Sequence, residues 1–537
     1  MTTPPSTAKP AITTNPASAV KHMKWWGWGV EGVAFHFDDK PKFAPFVKQA
    51  VGLDLTGEAP PAHLDFSDLA VAAPKISDDL LTDLKGAVGT ENVVSDDESR
   101  VVHTYGKSIR DLLRIRNGDL PRVPDVIVYP GDEDEVQAVV DLAVAADAVL
   151  IPYGGGSNIS GSLEPEPAET RTVISLDLGR LNKVLDIDEE SGLARIQAGT
   201  LGPDLEEQLN KRGWTVGHYP DSFNHSTIGG WVATRSSGMQ SDKYGDISDI
   251  TRGVRVATPG GPLVLRPLPS TSTGPSVREM ILGSEGRLGV ITEVNAHVHR
   301  LPQERTILAY FFPTFDAGLD AMREISQLDS RPSITRVSDA RETGFTLATA
   351  KKTSFGQTVL FKVLQRRGWD LDKMCLSFVG FEGAKGHVAR QQAQVKEIVK
   401  KHGGLGVGKG PGVLYDQKKF DTPYIRDFLL DWGGAADVSE TAAPWSRLKD
   451  VYYNTIEAAN KAYQQLDIDP GWIMCHLSHS YHSGACLYFT FAFVYGDRDP
   501  LELYEVVKKA IQQSFIDNGA TLSHHHAVGT EHSPWLE

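Results

Sequence analysis

The spacing of hydrophobic and polar positions changes near residue 123 of this 537-residue chain. The apolar run at 125–130, ended by proline, predicts a short strand. Over 132–148, apolar residues recur at positions 136, 139, 140, 143 and 144 behind an acidic first turn, which predicts an amphipathic helix. The apolar runs at 172–176 and 193–198 predict two more strands. The chain from 121 to 300 is therefore predicted to alternate between strands and helices.

A second region of helices and strands is predicted to begin near residue 301. Helical spacing is clear over 315–328, 387–402 and 500–517, and the apolar run at 485–493 predicts a buried strand. The first residues of the chain are rich in Thr, Pro and Ala and lack periodicity, which is typical of disorder. We therefore divide the chain into a disordered tail (1–22), a helical appendage (23–120) and two larger domains (121–300 and 301–537).

Composition excludes several classes of protein. The net charge of −15 argues against a nucleic-acid partner, which usually needs a basic surface. Cys375, Cys475 and Cys486 show no Cys-x-x-Cys spacing, which favours a reducing compartment, and we expect a cytoplasmic location. No apolar run approaches the roughly 20 residues that cross a bilayer.

A glycine-rich loop follows the predicted strand at 149–151. It comprises Pro152, Tyr153, Gly154, Gly155, Gly156, Ser157 and Asn158. Glycines lack Cβ atoms, so the backbone can turn tightly and present N–H groups to an anion such as a pyrophosphate. The alternative is an exposed Gly/Ser turn. The spacing matches neither Gly-x-Gly-x-x-Gly nor a phosphate loop ending in Gly-Lys-Ser/Thr, so a dinucleotide would be bound on a different fold.

Three separated segments carry a resemblance to a known family. In this order, 152–161, 220–230 and 283–293 resemble the FAD-binding domain of the vanillyl-alcohol oxidase/PCMH flavoprotein superfamily. The resemblance implies an α+β fold, with a two-lobed PCMH-type FAD-binding domain and a second α/β substrate (cap) domain. A narrower resemblance is to the alkyldihydroxyacetonephosphate synthase family. It is carried by the segments 24–29, 230–239, 272–275, 424–427, 440–445, 480–486 and 523–526.

Enzymes of that family exchange the acyl chain of acyl-dihydroxyacetone phosphate for a fatty alcohol and so form an ether lipid precursor. The resemblance implies this activity, FAD as cofactor and a homodimer. Because Ser157 and Asn158 stand where some superfamily members carry a flavin-linked histidine, we expect noncovalent FAD, although His218 and His225 lie near the second loop. Lipid substrates are consistent with peripheral membrane contact, but no segment forms a convincing anchor.

The resemblance also implies roles for individual residues. Tyr481 is expected to transfer a proton, Arg426 to bind the substrate phosphate, and Arg336 to support the active site. His524, His525 and His526 match a triple histidine; in an extended segment the first and third would point to one side and the second to the other. The residues expected to bind FAD beyond the glycine loop are Asp221, Ser222, Phe223, Asn224, His225, Ser226, Thr227, Thr234, Arg235, Ser236, Ser237, Glu285, Gly286, Arg287, Leu288, Gly289, Val290 and Ile291.

Other interpretations stay open at this point. Tyr481 could be a structural tyrosine at the start of a strand, and Arg426 could simply pair with Asp427. A metal site at the histidines is a weak alternative, because no carboxylate partner is obvious, and we expect no metal. The rival activity is that of an FAD-dependent 2-hydroxy acid dehydrogenase or oxidase, but 476–482 lacks the Gly-Asn of that group's metal motif. A non-catalytic flavoprotein is the third candidate.

Overall fold

The structure, a computed structural model, describes residues 20–57, 59, 63–351 and 355–536, so most of the predicted tail lies outside the described residues. The helices are α1 (Phe43–Val51), α2 (Asp78–Val88), α3 (Asp97–Val102), α4 (Ile109–Arg116), α5 (Glu133–Ala145), α6 (Gly202–Asn210), α7 (Ile228–Thr234), α8 (Ser241–Tyr244), α9 (Ile247–Ile250), α10 (Val277–Ile281), α11 (Phe315–Ser326), α12 (Ala340–Ala348), α13 (Phe355–Arg366), α14 (Lys385–Lys401), α15 (Gly410–Lys418), α16 (Thr422–Asp431), α17 (Leu448–Gln465), α18 (Pro500–Asp517) and α19 (Gly529–His532). The strands are β1 (Val93–Val94), β2 (Val126–Val128), β3 (Val149–Tyr153), β4 (Val173–Asp177), β5 (Val184–Asp188), β6 (Leu193–Gln197), β7 (Trp214–Thr215), β8 (Thr251–Thr258), β9 (Gly261–Leu265), β10 (Val290–His297), β11 (His299–Arg300), β12 (Glu304–Phe312), β13 (Ile334–Ser338), β14 (Cys375–Gly383), β15 (Leu405–Gly408), β16 (Gly434–Pro444), β17 (Trp472–Ser480) and β18 (Gly484–Val494).

The first large domain contains two sheets that share one core. One sheet has the order β1-β2-β4-β3, with β2 and β3 parallel to β4, and the other has the antiparallel order β5-β6-β10-β8-β9. Val136 and Val139 of α5 pack in that core with Ile174 of β4 and Val254 of β8. Strand β1 comes from the predicted N-terminal appendage and pairs with β2, so that segment contributes to this domain's sheet.

The second domain is built on a seven-stranded antiparallel sheet in the order β15-β12-β14-β13-β17-β18-β16. One face is covered by α11, α14, α17 and α18, and the odd-numbered residues of β18, among them Phe489 and Phe491, point into that core. Because strand residues alternate between faces, Tyr488 and Thr490 point to the opposite face. That second face becomes a wall of the central cavity.

The N-terminal arm packs against the cap domain. Trp25 and Trp28 are buried, and the Trp28 N–H donates to the Asp427 carboxylate. Phe43 of α1 packs against Phe428 of α16. The arm thereby covers part of the sheet face that the four helices leave open. Within the described part of the chain, no helix is long and apolar enough to cross a membrane.

The two faces of β18 give a test of this packing. Phe491→Ala removes a fully buried ring from the helix-covered face, and we expect the free energy of unfolding to fall by about 3–5 kcal/mol. Thr490→Ala on the cavity face is the matched control, with an expected loss below about 1 kcal/mol. Urea unfolding followed by circular dichroism measures both, and equal losses would contradict the assignment of the faces.

Candidate functional site

A cavity of about 2150 Å³ lies between the two domains. Small-molecule pockets are usually about 300–1,000 Å³, so this cavity has room for more than one ligand. The glycine loop and 220–237 form one wall, and the open face of the cap sheet forms the other. Helices α1, α12, α15 and α16 extend the walls with largely apolar side chains, among them Phe46, Phe345 and Leu429.

The glycine loop turns its backbone donors to this cavity. The side chain of Asn158 shapes the loop, because its Oδ1 accepts the N–H groups of Ser160 and Ser162 at 3.0 and 2.9 Å. A Cβ on Gly155 would overlap the carbonyl oxygen of His225, so the back of the loop admits only glycine there. Among the described residues, the N–H groups of 154–157 have no hydrogen-bond acceptor. A row of free N–H groups on a cavity wall fits a pyrophosphate, and so fits FAD.

The structure brings most of the predicted cofactor residues together. All of 152–158 line the cavity. The further predicted residues that line it are Asp221, Ser222, Ser226, Thr227, Thr234, Ser236, Ser237, Glu285, Gly286, Gly289 and Ile291. Those outside the described lining are Phe223, Asn224, His225, Arg235, Arg287, Leu288 and Val290.

The residues outside the lining have other contacts. The Phe223 ring stacks on Phe420 with centroids 5.2 Å apart, Arg235 pairs with Glu279, and Val290 points into the domain core. Contiguous stretches predicted from motifs include such residues because alternate positions face away from a site. His218 is buried outside the described lining, and its Nε2 lies 2.8 Å from Ser236 Oγ.

Arg336 belongs to a charged cluster on the cap wall. The Glu342 carboxylate bridges Arg336 at 2.7 Å and His476 at 2.8 Å. Burial alone would raise the pKa of Glu342, but the charges of His476 and Arg336 lower that pKa to about 2. Burial, followed by the Arg336 charge, lowers the pKa of His476. The result is a guanidinium and an imidazole that one ionised carboxylate holds at the cavity wall.

Tyr488, and not the motif residue Tyr481, is the tyrosine that faces the cavity. Tyr488 lines the cavity, and its ring lies nearly parallel to those of His476 and His525, with centroids 4.9 and 6.0 Å apart. Tyr481 precedes β18 and is not among the described lining residues. Burial raises the pKa of Tyr488 well above its usual value, so the phenol stays protonated at neutral pH. The alternation of Tyr488 and Thr490 with apolar residues was the sequence signal for this position.

Tyr481 instead joins two partly buried groups, Asp246 and His524, outside the lining. Its hydroxyl lies 2.7 Å from Asp246 Oδ2 and 2.6 Å from His524 Nε2. Burial, followed by the Asp246 charge, raises the pKa of Tyr481. Tyr481, which the resemblance implies transfers a proton, therefore lies outside the described lining, and that role stays a prediction.

The triple histidine is arranged by one carboxylate. Glu440 accepts hydrogen bonds from the Ser523 hydroxyl at 2.6 Å and from the N–H groups of His524, His525 and His526 at 2.7, 3.1 and 3.1 Å. This turn replaces the extended geometry assumed from sequence, so His525 and His526 both line the cavity and His524 does not. Glu440 is also the carboxylate that the metal alternative lacked, and one ligand atom each of Glu440, Cys486, His524 and His525 lie within 4.8 Å of one another.

Arg426 has unused donors at the cavity. Its Nη1 donates to the Lys107 carbonyl at 2.6 Å, while the buried Nε and Nη2 have no hydrogen-bond acceptor within the described residues. Oδ2 of Asp427 accepts the Trp28 N–H, and Oδ1 of Asp427, which has no hydrogen-bond partner among the described residues, lies 3.7 Å from Arg426 Nη2. A guanidinium with two free, buried donors suits a phosphate and argues against a simple surface pair.

Known proteins match both domains. Residues 124–265 match the FAD binding domain family, and 301–537 match the FAD linked oxidases C-terminal domain family. The alkyldihydroxyacetonephosphate synthase of Dictyostelium discoideum is 39% identical over 96% of this chain and 88% of its own length. A solved alkyldihydroxyacetonephosphate synthase superposes with a TM-score of 0.85 at 37% identity over 94% of each chain. p-Cresol methylhydroxylase, at 15% identity and a TM-score of 0.62 over 86% of this chain and 92% of its own, shares the fold alone. The predicted α+β, PCMH-type architecture with a cap domain is confirmed.

The glycine loop makes a direct prediction about flavin binding. Gly155→Ala places a methyl group against the His225 carbonyl and displaces the loop, so we expect the purified protein to lose at least about tenfold in FAD affinity. The measurement is a flavin fluorescence titration of the apoprotein. Gly86→Ala in α2, where a Cβ meets nothing within 4 Å, is the matched control. Unchanged affinity in Gly155→Ala would contradict the assignment of the loop.

Proposed function

The chain belongs to the alkyldihydroxyacetonephosphate synthase family, and on that premise we propose that it replaces the acyl chain of acyl-dihydroxyacetone phosphate with a long-chain fatty alcohol. The observation that carries this proposal is the cavity itself. It combines the glycine loop, two free guanidinium donors of Arg426, a phenol beside two histidines, and long apolar walls.

FAD is the cofactor, and the glycine loop with 221–237 and 285–291 would hold it. We propose that it is bound noncovalently, since neither His218 nor His225 is among the described lining residues. When bound, FAD supplies an electron-accepting ring system beside the reacting carbon, although the net exchange transfers no electrons.

The exchange has a simple balance of atoms. The bond between C1 of the substrate and the ester oxygen breaks, and a bond between C1 and the alcohol oxygen forms. The acyl chain leaves as a carboxylate, and one proton is released. The protein therefore has to hold a phosphate, place two long chains and manage protons.

The phosphate is assigned to Arg426. Its free Nε and Nη2 donors can bind two phosphate oxygens, and burial strengthens such charge-assisted hydrogen bonds. Arg336 is committed to Glu342 and His476, so we propose that it contributes a fixed positive charge to the cavity.

Tyr488 is assigned to proton transfer at C1. A phenol with a raised pKa can take up a proton only when a neighbour accepts its own. His525 is such a neighbour, with its ring parallel at 6.0 Å. Burial lowers the pKa of His525 to about 3, which keeps the imidazole neutral and able to accept.

The apolar walls suit the two alkyl chains. Phe46, Phe345, Leu429 and Trp472 pack against one hydrophobic cluster and form an apolar end of the cavity. A small 2-hydroxy acid, the substrate class of the rival dehydrogenase, would leave these walls in contact with water. The long apolar end thus favours the transferase over that rival.

A label-exchange assay tests the function and the tyrosine together. The flavin-loaded protein receives palmitoyl-dihydroxyacetone phosphate and labelled hexadecanol, and we expect label in a base-stable ether. Tyr488→Phe removes only the hydroxyl, so kcat is expected to fall about 10²–10⁴-fold with FAD content unchanged.

Two results would contradict these assignments. No ether from the flavin-loaded wild type would reject the transferase, and substrate-dependent flavin bleaching by lactate or glycolate would then support the dehydrogenase. Full activity in Tyr488→Phe would reject the tyrosine only. Tyr453→Phe, a tyrosine 53% exposed on α17, is the matched control and should retain full activity.

We further propose peripheral contact with an anionic lipid surface at the mouth of the cavity. Leu414 on α15 lines the cavity and is 57% exposed, and Val413 beside it is 53% exposed. Leu360 on α13 lines the cavity next to the exposed Val359. Exposed Lys409 and Lys418 flank α15, which suits anionic head groups.

Flotation with phosphatidylcholine/phosphatidylglycerol vesicles tests this contact. The double variant Val413→Asp/Leu414→Asp is expected to bind at least about tenfold more weakly, because two aliphatic side chains no longer enter the interface. Val264→Asp on β9, 47% exposed, is the matched control. Equal binding by both variants would reject this face as the lipid contact.

The remaining expectations are the homodimer that the family resemblance implies and the cytoplasmic location that the cysteine usage favours. Buried, unpaired Cys375, Cys475 and Cys486 support a reducing compartment. Light scattering coupled to size exclusion measures the oligomeric state.

A further inference from the structure

We propose that His525, His524 and Tyr481 form a proton relay that leads from the cavity to Asp246. The proposal rests on the proposed function, because the exchange releases one proton in each turnover into a cavity built for lipid chains. That proton needs a path out that does not admit bulk water.

The relay is visible as a continuous chain of short contacts. His525 lines the cavity, and its Nδ1 lies 3.0 Å from His524 Nδ1. His524 Nε2 lies 2.6 Å from the Tyr481 hydroxyl, which lies 2.7 Å from Asp246 Oδ2. Tyr481 and Asp246 are partly exposed as residues and the turn after Tyr481 is exposed, while Oδ1 of Asp246 is buried without a hydrogen-bond partner among the described residues. The chain therefore begins at the cavity and ends toward solvent.

The hydrogen-bond partners determine which atoms carry the protons before a transfer. The Tyr481 O–H donates to the Asp246 carboxylate, so the Tyr481 oxygen accepts the Nε2–H of His524. His524 Nδ1 is then an acceptor for the Nδ1–H of His525. Nε2 of His525 is left with a lone pair, and it is the atom that receives a proton from the cavity.

The transfer conserves protons at every member. A proton arriving at His525 Nε2 releases the one at Nδ1 to His524, which releases its Nε2 proton to Tyr481, which releases its own to Asp246. Each of the three relay groups gains one proton and loses one. Asp246 then passes the proton to water.

Neighbouring groups fix the positions of the relay residues. Glu440 fixes the backbone of His524 and His525. The buried ring of His479 stacks on His524, with centroids 5.4 Å apart and an angle of 20° between the planes. Nδ1 of His525 lies 3.5 Å from the Glu440 carboxylate and 3.0 Å from His524 Nδ1. Its contact with His524 is therefore the shorter of the two.

Tyr481→Phe tests the relay, because it removes the one hydroxyl that joins His524 to Asp246. We expect kcat in the exchange assay to fall about 10- to 100-fold, with KM and FAD content unchanged, and to be restored by added imidazole. Wild-type kcat should not depend on imidazole. Asp246→Asn should lower kcat as Tyr481→Phe does. Tyr453→Phe is the control, because the Tyr453 hydroxyl also donates to a carboxylate (Asp316 at 3.1 Å), and it should keep the wild-type kcat.

A loss that imidazole does not restore, or no loss at all, would overturn the relay. Nitrogen-15 NMR of histidine-labelled protein gives a readout that does not need turnover. We expect His525 to be protonated at Nδ1 and His524 at Nε2, with the signals assigned from His524→Gln and His525→Gln variants. The opposite tautomer at His525 would overturn the relay as well. Absence of ether from the wild type would overturn the proposed function instead. The tautomers are measured without turnover, so they test the relay separately from the proposed function.

Discussion

The buried Glu440 carboxylate orders the catalytic end of this molecule. Its oxygens accept hydrogen bonds from three consecutive backbone N–H groups and from Ser523, so a segment of three histidines is held in a turn. Burial alone would raise the pKa of Glu440, but the adjacent histidines and the Ser523 hydrogen bond lower it well below its usual value. The Glu440 carboxylate is therefore ionised at neutral pH. Loss of that charge would release the turn, and with it the contact of His525 with the cavity.

A second constraint is the enclosure of the cavity between two domains. The FAD-binding domain presents backbone donors. The cap sheet presents Arg336, His476 and Tyr488, which lie on the neighbouring strands β13, β17 and β18. The chain also ties its end to the first domain, because Glu285 accepts the N–H groups of Val528 and Gly529 at 2.6 and 3.1 Å. The histidine segment is thus fixed from both sides, and neither domain forms the site alone.

Sequence patterns could predict the elements and the cofactor wall but not the catalytic wall. Helices such as α5 and α18 follow local spacing and capping, and the glycine loop depends on glycine chemistry that is readable locally. The turn at 523–526 depends on a carboxylate 84 positions before His524, which no local rule supplies. The motif pointed to Tyr481 and not to Tyr488 for a related reason. A motif identifies a segment, while the pleat of β18 decides which of its side chains meets the cavity.

The position of Tyr481 also shows how a dry cavity and proton release can coexist. An apolar site holds lipid chains because water is excluded, yet the exchange leaves one proton behind in each cycle. A charge retained in such a site would be costly, since burial of an uncompensated charge is among the largest penalties in proteins. Because the proton moves along hydrogen bonds that already exist, it can leave the cavity while water stays excluded. The imidazole at the cavity returns to its neutral form, and the charge reaches a carboxylate that is partly exposed.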